Sequence, residues 1–414
     1  MEQYRIQRLG HRGDGVAEGP VYAPLTLPGE LVEAVRHGDR LDDIRVAEPS
    51  ADRVRPPCRH FRSCGGCQLQ HASDGFVADW KRASVVSALA MQGIEAEVLP
   101  PIASPPASRR RATFSARRTK KGALAGFHAR ASNVIVAVPD CLLLHPDLLG
   151  ALPAVEALAV LGASRKGELN VTVTRTETGL DLAARGGKPL DGPMRLDLAQ
   201  VCARHGLARL DWEGEVIAQA RPPVVRFGRA EVVLPPGAFL QATPEGEATL
   251  LDEVRLIVGE ASKVVDLFAG CGTFALPLAM RAEVHAVEGD TAMTAALDAG
   301  WRHAHGLKRV TTDARDLFRR PLLRDELSGF DAAVIDPPRA GAAAQIAELA
   351  KARVPRIAHV SCNPATFARD AAALIAADYR MGPVTVVDQF RWSAHVEIVA
   401  GFTFGPAREL SVQE

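Results

Sequence analysis

The sequence has no excess charge of either sign, with 49 Lys and Arg against 49 Asp and Glu. A polyelectrolyte chain is thereby excluded, and any nucleic-acid surface must be local. It also lacks an uninterrupted apolar run approaching the roughly 18 residues of a membrane span. The opening MEQYRIQRLGHRGDG has no apolar core of the kind a secretory signal needs. The expectation is a cytoplasmic protein with no membrane contact. Internal repeats and low-complexity tracts are missing, and 47% hydrophobic against 24% charged residues is far from the composition of disorder. Cysteines are few: Cys58, Cys64, Cys67, Cys141, Cys202, Cys271 and Cys362. Without a secretion signal they point to ligation or catalysis rather than disulfides.

What is present is a chain of 414 residues, too long for one core, which divides by composition into residues 1–50, 51–235 and 236–414. In the first, short β-branched runs are punctuated by Gly13-Asp14-Gly15, Gly19-Pro20 and Leu27-Pro28-Gly29-Glu30. That is the pattern of a small OB-like β-barrel, an architecture suited to RNA. Residues 51–57 read as a linker. A central α+β domain follows, in which a helix is predicted over 73–91, capped by Ser73 and with a place against the catalytic domain. Between Arg109 and Arg130 stand eight basic residues and no acidic one: Arg109, Arg110, Arg111, Arg117, Arg118, Lys120, Lys121 and Arg130. Phe114 and Phe127 interleave with them. Such a stretch can neutralise phosphates and stack on bases; a solvated hairpin is the alternative.

From Val264 onward, apolar strands (VVDLF, VHAVE, AAVID, IAHVSC) alternate with Ala-rich helical segments. This predicts an α/β doubly wound, Rossmann-like sheet whose ligands sit at the carboxyl ends of the strands. Asp266-Leu267-Phe268-Ala269-Gly270-Cys271-Gly272-Thr273 puts an acid at a strand end before a glycine turn and a helix. Glycines there admit a ligand to the backbone, and the helix start favours an anionic group. The glycines do not follow G-x-G-x-x-G, but Glu288 closes the next strand, where a carboxylate can accept both hydroxyls of a ribose. Together these suggest an S-adenosylmethionine site with Asp313 near the adenine; the alternative is a structural turn with a surface acid.

Two further strand ends carry Asp336-Pro337-Pro338-Arg339 and Ser361-Cys362-Asn363-Pro364. Pro364 suits the start of a helix, so Cys362 is expected on a stiff turn where the helix N-terminus raises its thiolate fraction. Glu397 interrupts the apolar run His395-Val396-Glu397-Ile398-Val399, a placement that calls for a task or a partner. An inert thiol and a satisfied strand acid are the plain alternatives. A thiol, a base and a methyl donor in one crevice fit methylation at carbon 5 of uracil, with Cys362 as nucleophile and Glu397 as base. Gln241 and Asp336 can orient the uracil or the cofactor. An amino-directed methyltransferase fits less well, because Arg339 stands where an aromatic residue would follow Asp-Pro-Pro.

Cys58, Cys64 and Cys67 are clustered, and Cys141 is the best fourth ligand by position. Four thiolates can hold a [4Fe-4S] cluster or zinc, and spacing alone leaves both open; His60 and His71 would serve a zinc variant. A radical use of such a cluster would need an iron free of thiolate.

Taken together, CRHFRSCGGCQLQH, DLFAGCGTF, DPPRAG, SCNPATFARD and HVEIVAGF resemble the bacterial RNA uracil-5 methyltransferase family. The likeness is strongest to its 23S ribosomal RNA members with an N-terminal TRAM barrel and a [4Fe-4S] cluster. The resemblance implies a class I S-adenosylmethionine-dependent fold and a uridine flipped out of its RNA. It implies Cys58, Cys64, Cys67 and Cys141 as cluster ligands, Cys362 as nucleophile and Glu397 as base. It also implies cofactor contacts from Gln241, Phe268, Thr273, Glu288 and Asp336. The sequence departs from the family pattern at Thr273 and Thr243, where Asn is common. A monomer acting on 23S rRNA is expected; a tRNA T-loop uridine and a non-catalytic iron-sulfur RNA-binding role are the alternatives.

Overall fold

The computed structural model describes residues 1–164 and 167–405. Its first unit is built from β1 (Glu2–Leu9), β2 (Gly15–Ala17), β3 (Val21–Ala23), β4 (Leu31–His37) and β5 (Arg40–Glu48), closed in the order β1-β2-β3-β5-β4. Alternation along β4 turns Val32 and Ala34 inward, where they meet Ile6, Val21 and Leu41. Closure leaves no free strand edge. The segment 51–57, expected as a linker, is tied down instead: Arg53 pairs with the wholly buried Glu30 and bridges to Ala72.

Helix α1 (Asp74–Ala90) starts where the Ser73 hydroxyl accepts the Phe76 amide at 3.2 Å. After it comes the two-residue strand β6 (Ile102–Ala103). The central sheet uses β7 (Arg111–Arg118), β8 (Ala123–His128), β9 (Ile135–Val136), β10 (Leu169–Thr176), β11 (Gly179–Arg185), β12 (Arg209–Trp212) and β13 (Glu215–Gln219), ordered β13-β12-β11-β10-β7-β8-β9. Of its helices α2 (Pro146–Gly150), α3 (Leu152–Gly162) and α4 (Gly192–Arg204), α3 lies on β7 and β8. Their shared core holds Phe114, Leu158, Val171 and Trp212, all at 0% exposure. A hairpin of β14 (Val224–Phe227) and β15 (Ala230–Val233) leads out of it.

The C-terminal unit runs α5 (Pro244–Val258), β16 (Lys263–Leu267), α6 (Ala275–Leu278), β17 (Glu283–Glu288), α7 (Thr291–His303), β18 (Val310–Ala314), α8 (Arg324–Leu327), β19 (Ala332–Ile335), α9 (Ala343–Ala352), β20 (Arg356–Ser361), α10 (Pro364–Ile375), β21 (Tyr379–Asp388) and β22 (Glu397–Phe404). Its sheet is ordered β18-β17-β16-β19-β20-β22-β21-β6; β16 to β20 pair in parallel, and β22 runs antiparallel to both neighbours. This is the doubly wound sheet expected of a class I methyltransferase. Two pieces from before residue 104 belong to it by packing. Strand β6 extends the sheet beside β21, and α1 lies against α10, with Val85 and Leu89 in the same core as Phe367 and Ile398. The helix lies where the sequence reading expected it, and strand β6 is the piece that this unit takes from before the boundary at residue 235. Among the described residues no helix is long and apolar enough to cross a membrane.

Candidate active site and cysteine cavity

Parallel strands share a polarity, so the ends of β16, β17, β19 and β20 open at one edge of the sheet. At the end of β16 the turn through Gly270 (φ 57°) and Gly272 (φ 100°) brings backbone amides to the edge. Glu288 is held there from two sides, its carboxylate accepting the Gly270 amide at 3.0 Å and the Asp290 amide at 2.9 Å. Phe268 adopts a left-handed conformation at φ 63°, and its ring lies 5.4 Å from that of Phe318. Thr273 sits partly buried on the same turn. Asp313, in register with Val287, lies 3.7 Å from Arg315, which also holds Glu326 at 2.7 Å. Asp266 is below this surface rather than on it. It is wholly buried, neither carboxylate oxygen has a hydrogen-bond partner among the described residues, and burial together with the charges of Asp336 and Glu288 raises its pKa well above the carboxylate range.

Asp336 follows β19, and burial pushes its carboxyl up to about 7. Its Oδ2 accepts the side-chain amide of Gln241 at 3.2 Å. Cys362 follows β20 at the start of α10, where Asn363 caps the helix by accepting the Ala365 amide at 3.1 Å. The helix start does not win at the sulfur, contrary to the sequence expectation. Burial first, then the charges of Glu397 and Asp336, push the Cys362 thiol up to about 11 against the opposing charge of Arg339. Glu397 opens β22 with only 5% exposure. Burial, then Asp336, raise its pKa, while Gln389 and Arg339 act the other way.

Cys362 opens onto a cleft of about 1050 Å³ shared by all three units. Its walls include Arg339 and His395, His11 and Arg12 from the barrel, and Gly66 and Arg130 from the central unit. Arg339 donates to the His395 ring at 2.9 Å.

Cys58, Cys64, Cys67 and Cys141 line one cavity of about 310 Å³ in the central unit. The Gly66 amide reaches the Cys64 sulfur at 3.4 Å. His60 lines the same cavity with its Nε2 2.6 Å from Asp140, whereas His71 is buried against Phe61. Among the described residues no group of three or more His, Cys, Asp or Glu side chains stands ready to hold a metal ion.

The basic stretch divides. Phe114 cannot stack on a base: it is fully buried, with its ring 5.3 Å from that of Phe127. Arg110 is spent on the C-terminal unit, pairing with Glu247 and donating to the Gln241 carbonyl at 3.1 Å, and Arg111 donates to the Gly237 carbonyl at 3.0 Å. Arg109 is drawn against Phe390, 5.8 Å from its ring, and Arg117 pairs with Glu168 at 2.9 Å. Arg118, Lys120 and Lys121 are exposed.

Sequence reasoning missed Gln389 and Phe318. A signal for the first is the polar pair Asp388-Gln389 closing a Val-rich strand. For the second it is an aromatic residue left 49% exposed five residues beyond Asp313.

Residues 302–402 match the family model described as tRNA (Uracil-5-)-methyltransferase. An uncharacterized RNA methyltransferase of Brucella suis is 47% identical over 406 residues, covering 97% of this chain and 98% of that protein. The 23S rRNA (uracil(1939)-C(5))-methyltransferase RlmD of Halomonas elongata is 37% identical, covering 95% of this chain and 87% of that protein. Among solved structures, the Pyrococcus abyssi tRNA (uracil-54, C5)-methyltransferase, in complex with S-adenosyl-L-homocysteine, superposes with a TM-score of 0.74 over 97% of this chain and 99% of that chain. At 22% identity that likeness shows the fold. With relatives this similar along nearly its whole length, the chain belongs to the RNA (uracil-5-)-methyltransferase family.

Proposed function

We propose that this protein methylates carbon 5 of a uridine in RNA through a transient bond between Cys362 Sγ and carbon 6 of the base. The reading is carried by one juxtaposition: Ser361 and Ile398 are in register across β20 and β22, so that Cys362 and Glu397 lie side by side at a strand end with Asp336 at the end of the neighbouring β19, and Cys362 opens onto a cleft of about 1050 Å³. When bound, S-adenosylmethionine supplies an electrophilic methyl group. Glu288, already oriented by two amides, suits the ribose hydroxyls, and Phe268 with Phe318 suits the adenine. Gly270, Gly272 and Thr273 would supply the turn that holds it, with Asp313, Asp266, Gln241 and Asp336 as the further residues that would bind it.

In the chemical sequence, Cys362 loses its proton to water in the cleft and the Sγ–C6 bond forms, which moves an electron pair through carbon 5 to the uracil oxygen. Carbon 5 takes the methyl group, leaving S-adenosylhomocysteine. Glu397 then accepts the carbon 5 proton, the electron pair returns to form the C5–C6 double bond, and the Sγ–C6 bond breaks. One proton is released overall. Uridine carrying tritium at carbon 5 should therefore lose it to water in a cofactor-dependent manner, and Glu397→Gln should leave a methylated RNA adduct on Cys362 that survives denaturing gels. If no tritium is released from 23S rRNA or tRNA transcripts while the cofactor binds, the reading fails.

Cys58, Cys64, Cys67 and Cys141 are the residues that would hold a [4Fe-4S] cluster, since four thiols face one cavity with a backbone amide on one sulfur. The cluster would order the loop beside the cleft, and the methylation itself moves no net electrons. Anaerobic purification should give brown protein with stoichiometric iron and sulfide; colourless protein holding zinc overturns the assignment. The RNA is 23S rRNA, the substrate named for the Halomonas relative, with Arg118, Lys120 and Lys121 on its phosphates. We place the enzyme in the cytoplasm as a monomer.

A further inference from the structure

We propose that Gln389 is a positioning residue that fixes the direction of a buried amide chain, so that Glu397 and Asp336 are both held as hydrogen-bond acceptors. This deepens the methylation reading above and rests on it.

The direction is set by one group without a choice. The backbone N–H of Ala242 can only donate, and it donates to Gln389 Oε1 at 2.8 Å. The Gln389 amide nitrogen is thereby turned the other way, where it donates to Gln241 Oε1 at 2.6 Å. With its oxygen occupied, Gln241 directs its own amide nitrogen at Asp336 Oδ2, 3.2 Å away. The second N–H of Gln389 is not used by these contacts, and Glu397 is the acid beside it: it is in register with Val387, two residues before Gln389 on the same face of the sheet, and Gln389 draws its pKa down. Gln241 and Gln389 are 2% and 3% exposed, so water cannot easily replace a misdirected donor. Reversing either amide would set oxygen against oxygen.

Gln389 is also held rigidly. It follows β21, in which Val387 is in register with Glu397, and its neighbour Asp388 is anchored by the buried Lys81 Nζ at 2.6 Å. The charged groups acting on Glu397 are Asp336 and Arg339, with Cys362 coupled to it and His395 two residues before it. Arg339 is partly engaged by the His395 ring, which leaves Gln389 as the uncharged donor built into the site. A hydrogen bond given to the ionised carboxylate favours that form, which is the form that accepts the carbon 5 proton.

The test compares the full-length protein with Gln389→Met, similar in volume but without a donor, and Gln389→Glu, which still accepts the Ala242 amide but, once ionised, donates to neither neighbour. Substrates are 23S rRNA and tRNA transcripts carrying [5-³H]uridine. In both variants the acid limb of tritium release should move to higher pH by about one unit. Below that limb the methylated Cys362 adduct should accumulate, and it should resolve when the pH is raised. Equal loss of activity at every pH without adduct, or a profile unchanged in either variant, overturns the proposal. If Gln389→Met does not fold, Gln389→Glu alone decides. Glu397→Gln, run alongside, separates the two readings. An adduct there with none in the Gln389 variants defeats only the role of Gln389, whereas no tritium release by the unsubstituted protein defeats both.

Discussion

Lys81 Nζ and Asp388 Oδ1 form an ion pair at 2.6 Å with both side chains withdrawn from solvent, joining α1 to the strand end that precedes Gln389. Lys81 also donates to the Phe390 carbonyl at 3.2 Å, and Trp392 farther along accepts the Gln68 and Leu69 amides at 2.8 and 2.9 Å. The loop leading to Glu397 is therefore fastened from the cysteine-bearing side of the molecule. Removing one partner of a buried pair strands the other charge, so Lys81→Met should cost about 3 kcal/mol. Denaturant unfolding checks this, and a midpoint within error of the parent protein would show that the pair does not hold the loop.

The thiol of Cys362 should be sluggish toward alkylating agents. Its pKa is raised from 9.0 to about 11, so near neutral pH the thiolate fraction is about a hundredfold below that of an ordinary cysteine. The rate with iodoacetamide, followed at Cys362 by mass spectrometry, should rise tenfold per pH unit through pH 9 without levelling. Glu397→Gln removes one of the charges that raise the pKa and should speed the reaction. A plateau near pH 8 would mean that the helix start dominates after all.

Much of this site was legible because parallel strands deliver their ends to one edge. Reading Asp266, Glu288, Asp336 and Cys362 as strand-end residues was enough to gather them without knowing any contact. Depth along the strand was not legible: Asp266 lies one residue before the end of β16 and is sealed under the turn, whereas Asp336, just beyond β19, keeps some exposure. Gln389 escaped because its role depends on meeting Ala242 and Gln241 from 147 and 148 positions earlier in the chain. Strand β6 is two residues long, too short to show any period, and it is placed only by pairing with β21.

The two turn glycines should respond differently to alanine. A Cβ on Gly272 would lie 2.7 Å from Leu276 Cδ1, at a φ of 100° that side chains rarely adopt. A Cβ on Gly270 meets nothing within 4 Å, at a φ of 57°. Gly270→Ala should cost about 1 kcal/mol and Gly272→Ala at least twice that, with a matching loss of S-adenosylhomocysteine affinity. Calorimetric binding and unfolding midpoints check the order; equal effects would mean that the turn rearranges.

The basic stretch makes the opposite kind of contrast, because one strand serves both core and surface. Phe114 shares its parity with Ala112 and Ala116, all buried, and that apolar parity was the sign that the ring points inward. Phe114→Ala should therefore cost about 3–5 kcal/mol of stability, with RNA affinity falling only as far as unfolding dictates. Lys120→Ala with Lys121→Ala, on the exposed turn beyond β7, should leave the unfolding midpoint within about 0.5 kcal/mol. Each lost phosphate contact should also lower the slope of log affinity against log salt by about one. Filter binding of a 23S rRNA transcript across a salt series checks both arms. An unchanged slope in the lysine variant would place the RNA elsewhere, along the cleft wall formed by Arg12, Arg130 and Arg339.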